Sequence, residues 1–132
     1  MSHKDDSVMV ILSSPSGAGK TTITKKIQQK YQNFKISISH TTRKPRSNEV
    51  DGIDYFFISE SEFEKKIEEG QFYEHAKIFD NYYGTSKKSV QNILDKKYDI
   101  LFDIDWQGTK QLSEFKELNL IKIFILPPNK EE

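Results

Sequence analysis

Apolar positions along this chain come in short blocks whose spacing switches between two periods. Val8 to Leu12 is an unbroken β-prone run, too short to cross a membrane, and it reads as a buried parallel strand. Ile23, Ile27 and Tyr31 then recur at helical spacing while Lys25, Lys26 and Lys30 take other positions, which predicts an amphipathic helix packed on a sheet. Phe34 to His40 alternates, with Ile36 and Ile38 on one side and Ser37 and Ser39 on the other, and predicts a second strand. Thr41 to Gly52 is polar and is punctuated by Pro45 and Gly52, so it reads as a loop.

The middle of the chain has a different character. Tyr55 to Ile58 predicts a short aromatic strand, and Ser59 with Glu62 predicts a capping box for a helix that turns Phe63 and Ile67 inward and ends at Gly70. Gln71 to Phe79 and Tyr82 to Ser86 read as short strands joined by a turn at Asp80-Asn81. Ser86 then caps a helix with Val90, Ile93 and Leu94 facing the core and Lys96 and Lys97 in its last turn. Tyr98 to Asp105, Gly108 to Phe115 and Leu120 to Leu126 predict strand, helix and strand. Strands alternating with helices around a strand-rich insert predict an α/β fold with a parallel sheet. Its core covers residues 7–40 and 98–126, an inserted lobe covers about 41–86, and a returning helix covers 87–97, all within one domain of 1–132.

Charge and cysteine content narrow the classes of function. Basic and acidic residues number 20 each, so no net field draws in nucleic acid or an anionic membrane. The absence of cysteine excludes a disulfide framework, thiolate chemistry and cysteine-based metal sites. No stretch approaches a membrane-spanning length, and the expected location is the cytoplasm.

The most chemically informative letters follow the first strand, SSPSGAGKTT. Gly17 and Gly19 allow the backbone from Ser14 through Pro15, Ser16 and Ala18 to curl its N–H groups toward an anion, and the next helix adds the positive end of its dipole. Lys20 can reach β- and γ-phosphates, and Thr21, followed by Thr22, puts a hydroxyl where Mg²⁺ takes an oxygen ligand. Ser14 stands where the pattern G-x-x-x-x-G-K-[ST] has glycine, so the first bend must be made at negative φ. The alternative is a turn between strand and helix that holds no ligand.

Other polar groups fit a nucleotide. Arg43 and Arg46 flank Pro45 in the loop after the second strand and could converge on one phosphate, since each guanidinium donates two parallel hydrogen bonds; the alternative is a solvated surface pair. Asp103 ends a strand where a phosphate-cradle protein holds Mg²⁺ through water, unless it caps the next helix. Glu74 and Asp105 can only accept, whereas Ser39 and Thr85 can donate. That set matches guanine, with donors at N1 and N2 and an acceptor at O6. Tyr55 and Tyr83 offer phenolic donors or serve as core filler.

The segments SSPSGAGKTT, SHTTRKPRSNEVDGIDYFF, EHAKIFDNYYGTSK, ILFDIDWQG and FILPP resemble the guanylate kinases in identity and order, from Val8 to Pro128. The resemblance implies a P-loop nucleoside monophosphate kinase fold with an inserted GMP-binding lobe. It implies that Ser14 to Thr22 bind the ATP phosphates, that Arg43, Arg46, Tyr55 and Tyr83 hold the phosphate of GMP, and that Ser39, Glu74, Thr85 and Asp105 read its guanine. Lys20, Arg43 and Asp103 would serve catalysis, with Thr21 and Asp103 near Mg²⁺. The implied reaction is ATP + GMP = ADP + GDP, without nucleic acid or membrane partners. Family members continue past the paired prolines into an arginine-bearing lid and closing helices, so the chain is expected to be C-terminally incomplete and to self-associate through its last strand. Two rivals remain open, a GMP-binding core with little turnover and a guanylate-kinase-like interaction module. The second commonly loses the cradle that Gly19, Lys20 and Thr21 retain here.

Overall fold

The computed structural model describes residues 7–13 and 20–124. Its elements begin with β1 (Met9–Ser13), α1 (Lys20–Lys30), β2 (Phe34–Ile36), β3 (His40–Thr41), β4 (Phe56–Phe57) and α2 (Glu60–Glu68). They continue with β5 (Phe72–Ile78), β6 (Asn81–Ser86), α3 (Lys87–Asp95), β7 (Asp99–Asp103), α4 (Trp106–Ser113) and β8 (Leu120–Phe124). The chain divides into two units, Met1–Ile36 with Ile93–Glu132, and Ser37–Asn92.

The first unit carries a sheet in the order β2-β7-β1-β8, with every pair parallel. β1 is buried at each position because it has β7 on one side and β8 on the other. Val10, Leu12 and Leu101 form a cluster on which Ile23 and Ile27 of α1 pack, together with Phe34 and Ile36. Tyr31, expected on the same helical stripe, follows the helix end and is 54% exposed; Thr24 is the buried helix residue instead. Ile100 to Phe102 are fully buried in β7, and register sets Asp103 beside Leu12. The Asp99 carboxylate accepts the Val8 N–H at 2.7 Å, tying the entry of β1 to β7.

The helix expected from Gly108 begins two residues earlier. Asp105 has extended backbone and its Oδ1 accepts the Gly108 N–H at 2.8 Å, which satisfies a donor of the first turn and makes Asp105 the N-cap of α4. Leu112 is fully buried as expected, while Phe115 lies past the helix end and is half-buried. β8 runs beside β1, with Ile121 and Ile123 exposed. Ile125 and Leu126, also expected in this strand, lie outside the described residues.

The second unit carries a sheet in the order β4-β3-β6-β5, antiparallel except for β3 with β4. The single strand expected over Phe34 to His40 is two strands in two sheets. Alternation suits any extended backbone, and distant partners decide membership: Ile36 pairs with Leu101, whereas His40 pairs with Gly84 and Phe56. The boundary expected after His40 therefore falls after Ile36.

Ser59 caps α2 as expected, its hydroxyl accepting the Glu62 N–H at 3.2 Å. The helix closes with Gly70 at φ +68° and paired bonds from Gly70 N–H to the Ile67 carbonyl and from Gln71 N–H to the Lys66 carbonyl, a Schellman motif. α3 ends in the same way, but with Lys97 in the left-handed position at φ 65°, so Lys96 and Lys97 lie beyond the last turn in which they were expected. The β5–β6 turn uses Phe79 and Asp80, at φ 50° and 69°, one residue earlier than expected. Two central residues at positive φ make a type I′ hairpin turn, which suits the twist of the flanking strands. Phe63 of α2 stacks on Phe72 at 4.5 Å and on Tyr82 at 4.9 Å, forming the lobe's aromatic core.

Candidate active site

A bulge in β5 decides which side chains the lobe's sheet displays. Phe72 pairs with Ser86 but Glu74 pairs with Thr85, so the strand slips one residue between them. Without that slip, period-2 alternation would put Phe72 and Glu74 on one face. With it, Phe72 joins the aromatic core under α2, and Glu74 joins the opposite face with Thr85, Tyr83 and Thr41. Ser39 is half-buried one residue before β3, where the same register sets it opposite Thr85, and its carbonyl accepts the Phe56 N–H at 2.9 Å.

Gly84 lies between Tyr83 and Thr85 and belongs to the aromatic face. A Cβ there would lie 3.0 Å from the Glu74 carbonyl oxygen and 3.0 Å from the Phe63 ring, so the residue lets β5, β6 and α2 approach closely.

On the displayed face the Thr85 hydroxyl donates to Glu74 Oε2 at 2.7 Å. Both residues are buried, and a buried carboxylate needs such donors to remain compatible with a low-polarity setting. The Thr85 proton, expected to point toward a guanine O6, is committed to Glu74 in this structure. Thr85 thus acts first by orienting the carboxylate.

Arg43 is held from two directions. Its Nη1 and Nη2 donate to Glu49 Oε1 and Oε2 at 3.0 Å each, and Nη1 also donates to the Lys44 carbonyl at 3.2 Å. Its guanidinium lies over the Tyr55 ring at 5.2 Å, and Tyr55 meets Tyr83 edge-on at 6.0 Å. The Glu49 bond, above all, pushes the Arg43 pKa further up, with the phenols of Tyr83 and Tyr55 adding to it against desolvation. The Arg43 bond and the Arg46 backbone N–H hold the Glu49 carboxyl below the usual carboxylate range. Arg46 contributes that N–H at 2.9 Å and has an exposed side chain. Arg43, Tyr55 and Tyr83 are thus brought together as expected, and Glu49 is a participant that the sequence reading passed over. The signal was present as R-x-x-R-x-x-E, spanning Arg43, Arg46 and Glu49.

His40 backs the aromatic face. It packs on Phe56 at 4.8 Å and on Phe72 at 5.8 Å, and burial, helped by Lys66 and opposed by Asp51, lowers its pKa from 6.5 to about 4. The imidazole is neutral at pH 7, and its Nδ1 is buried with no partner among the described residues.

In the first unit, Asp103 ends β7 with an exposed side chain, while Asp105 and not Asp103 caps α4. The expected phosphate cradle from Ser14 to Gly19 lies outside the described residues, as do the side chains of Lys20 and Thr21 at the start of α1. Thr22 is exposed on that first turn. No helix among the described residues is long and apolar enough to cross a membrane.

A family model for guanylate kinase matches residues 6–132. The chain is 53% identical over 128 residues to a guanylate kinase of Rickettsia bellii, an alignment that covers 97% of this chain and 66% of that protein. It is 47% identical over 125 residues to a guanylate kinase of Paramagnetospirillum magneticum, covering 95% of this chain and 58% of that one. The fold matches a crystal structure of guanylate kinase from Anaplasma phagocytophilum with a TM-score of 0.75 at 36% identity, covering 95% of this chain and 62% of that chain. The chain spans between 58% and 66% of the length of these relatives. A match along nearly all of its residues, on a parallel α/β sheet with a second, strand-rich unit, means that the chain belongs to the guanylate kinase family.

Proposed function

We propose that this chain binds GMP on the polar face of its lobe and ATP at residues 14–22, and that it catalyses ATP + GMP = ADP + GDP. A phosphate oxygen of GMP attacks the γ-phosphorus of ATP, the bond from that phosphorus to the β,γ-bridging oxygen breaks, and ADP leaves with the bond electrons. The observation that carries the reading is the pairing, on one lobe, of the Arg43, Tyr55 and Tyr83 cluster with the buried Glu74–Thr85 pair. The first suits a phosphate monoester, and the second presents a carboxylate to a base edge rich in N–H donors.

Arg43 and Arg46 with the two phenols hold the GMP phosphate in this reading. Glu74 accepts from guanine N1 and N2, and Ser39, Thr85 and Asp105 complete the proposed guanine set. Lys20 and the turn from Ser14 to Thr22 take the ATP phosphates. Chemistry of this kind needs positioning and charge neutralisation and no covalent intermediate.

Thr21 and Asp103 would hold Mg²⁺, which neutralises phosphate charge when bound. The exposed Asp103 carboxylate is an oxygen donor suited to a hard cation. The reading puts the chain in the cytoplasm, in purine nucleotide metabolism.

A coupled assay of GDP formation from ATP, Mg²⁺ and GMP tests the proposal, with Lys20→Ala as control. Turnover that Lys20→Ala abolishes while GMP still binds supports it. GMP binding without turnover in the wild-type chain leaves a GMP-binding core, and absence of GMP binding overturns the reading.

A further inference from the structure

Glu49 and Arg43 sit six residues apart in a loop without regular structure, yet they meet in two parallel hydrogen bonds of 3.0 Å each. Long side chains on a surface loop lose that geometry easily, so something must hold it. Three contacts do. The Arg46 N–H donates to Glu49 Oε1 at 2.9 Å, the Glu49 N–H returns to the Arg46 carbonyl at 3.0 Å, and Tyr55 lies under the guanidinium. The Arg43 and Glu49 side chains are each only 15% exposed.

The bond count shows what this arrangement leaves over. A guanidinium has five N–H donors. Glu49 takes one from Nη1 and one from Nη2, and the Lys44 carbonyl takes the second from Nη1. Glu49 and Lys44 leave the Nε–H and the second Nη2–H, which lie side by side on one edge of the planar group, spaced for two oxygens of one phosphate, and the phenols of Tyr83 and Tyr55 also approach the guanidinium within hydrogen-bonding range. Carboxylate and phosphate can therefore share Arg43 without competing for the same hydrogens.

We propose that Glu49 is a positioning residue for phosphate recognition, fixing the plane of Arg43 so that its Nε–Nη2 edge is presented to the phosphate of the nucleoside monophosphate. The inference rests on the reading of the lobe as a GMP site and adds to it the residue through which Arg43 acts. Glu49 also ties the backbone at Arg46, so one carboxylate organises both arginines of the loop. Its charge opposes an incoming dianion, and the gain comes from holding in advance a long side chain that would otherwise be ordered on binding.

Calorimetric titration of GMP and of guanosine into the wild-type chain, Glu49→Gln, Arg43→Lys and the double variant tests this. Glutamine keeps the size of the side chain but loses one acceptor oxygen, so the two-pronged hold is lost. We expect Glu49→Gln to weaken GMP about tenfold or more while changing guanosine by less than about twofold, and to add little in the Arg43→Lys background, where the fork is already gone. Thermal unfolding of each variant is measured alongside; an unchanged midpoint shows that the loss is one of recognition. Glu49→Gln binding GMP as the wild type does, or tighter, overturns the proposal. So does an equal loss of GMP and guanosine, or an equal loss with and without Arg43, since either marks Glu49 as a support of the fold alone. A wild-type chain that binds GMP no better than guanosine overturns the underlying reading together with the inference.

Discussion

The two units of this chain use their sheets in opposite ways. In the first, β1 and β7 are apolar along their buried lengths up to Ser13 at the end of β1, and parallel pairing on both sides leaves polar chemistry to the strand ends, where Ser13 and Asp103 stand. In the second, a small and mostly antiparallel sheet divides its faces. An aromatic face packs under α2, and a polar face carries Thr41, Glu74, Tyr83 and Thr85. A parallel core thus keeps its polar groups at the rim, whereas the lobe buries part of its polar chemistry. Glu74 and Thr85 are buried polar groups whose cost is offset by their mutual bond.

That contrast is most severely tested by Phe63→Ala. Phe63 is fully buried and touches both Phe72 and Tyr82, so its loss should cost about 3–5 kcal/mol. Hydrogen exchange should show the amides of β5 and β6 losing protection first while β1 and β7 keep theirs. Simultaneous loss in both sheets would remove the distinction between the units. Gly84→Ala comes next, since its new Cβ meets a backbone carbonyl that cannot move aside cheaply; about 1–3 kcal/mol should be lost in a urea titration, against no change if β5 and β6 can separate freely.

Thr85→Val keeps the shape of the side chain and removes the donor to Glu74. A loss of about 1–2 kcal/mol is expected, with weaker discrimination of GMP from AMP, both read by denaturation and calorimetry. An unchanged selectivity would separate the hydroxyl from base reading.

The smallest expected effect is that of acid on the lobe. His40 is depressed in the folded state, so between pH 6.5 and about 4 the unfolded chain binds a proton that the folded chain does not. Its contribution is therefore fully present above pH 6.5, falls as the pH drops through that window, and is exhausted below about 4. For a ring only partly shielded from solvent the loss is on the order of 1 kcal/mol. His40→Phe removes the titrating group and should flatten that part of the stability profile, whereas an unaltered slope would assign it to other groups.

The sequence made the first unit more legible than the second, for a physical reason. β1 and α1 are specified locally, by an apolar run and a 3.6-residue repeat, and their core residues Val10, Leu12, Ile23 and Ile27 emerged from that pattern. Phe34 to His40 shows the limit, because alternation cannot say which distant strand a residue will pair with. At the hairpin, Asp80-Asn81 has the better turn chemistry, but the pairing of Ile78 with Asn81 shifts the turn to Phe79-Asp80. The site residues were named and grouped by residue type and by family resemblance; the register that places them was not visible. The bulge that separates Phe72 from Glu74 has no letter of its own, and Glu49 was hidden among ordinary loop charges. Long-range register decides the first, and the local fold of the loop decides the second.

The central claim is that the polar face of the lobe reads GMP, and its most direct test is the pair of dissociation constants for GMP and AMP, measured by calorimetry on the wild-type chain under identical salt and Mg²⁺. AMP carries the same phosphate for Arg43 but presents an amine at C6 and no donor at N1, leaving Glu74 unmatched. Sites built to pair buried polar groups reject such analogues by factors that reach about 10⁴. The account predicts a preference for GMP of at least about 100-fold, and comparable constants for the two nucleotides would contradict it.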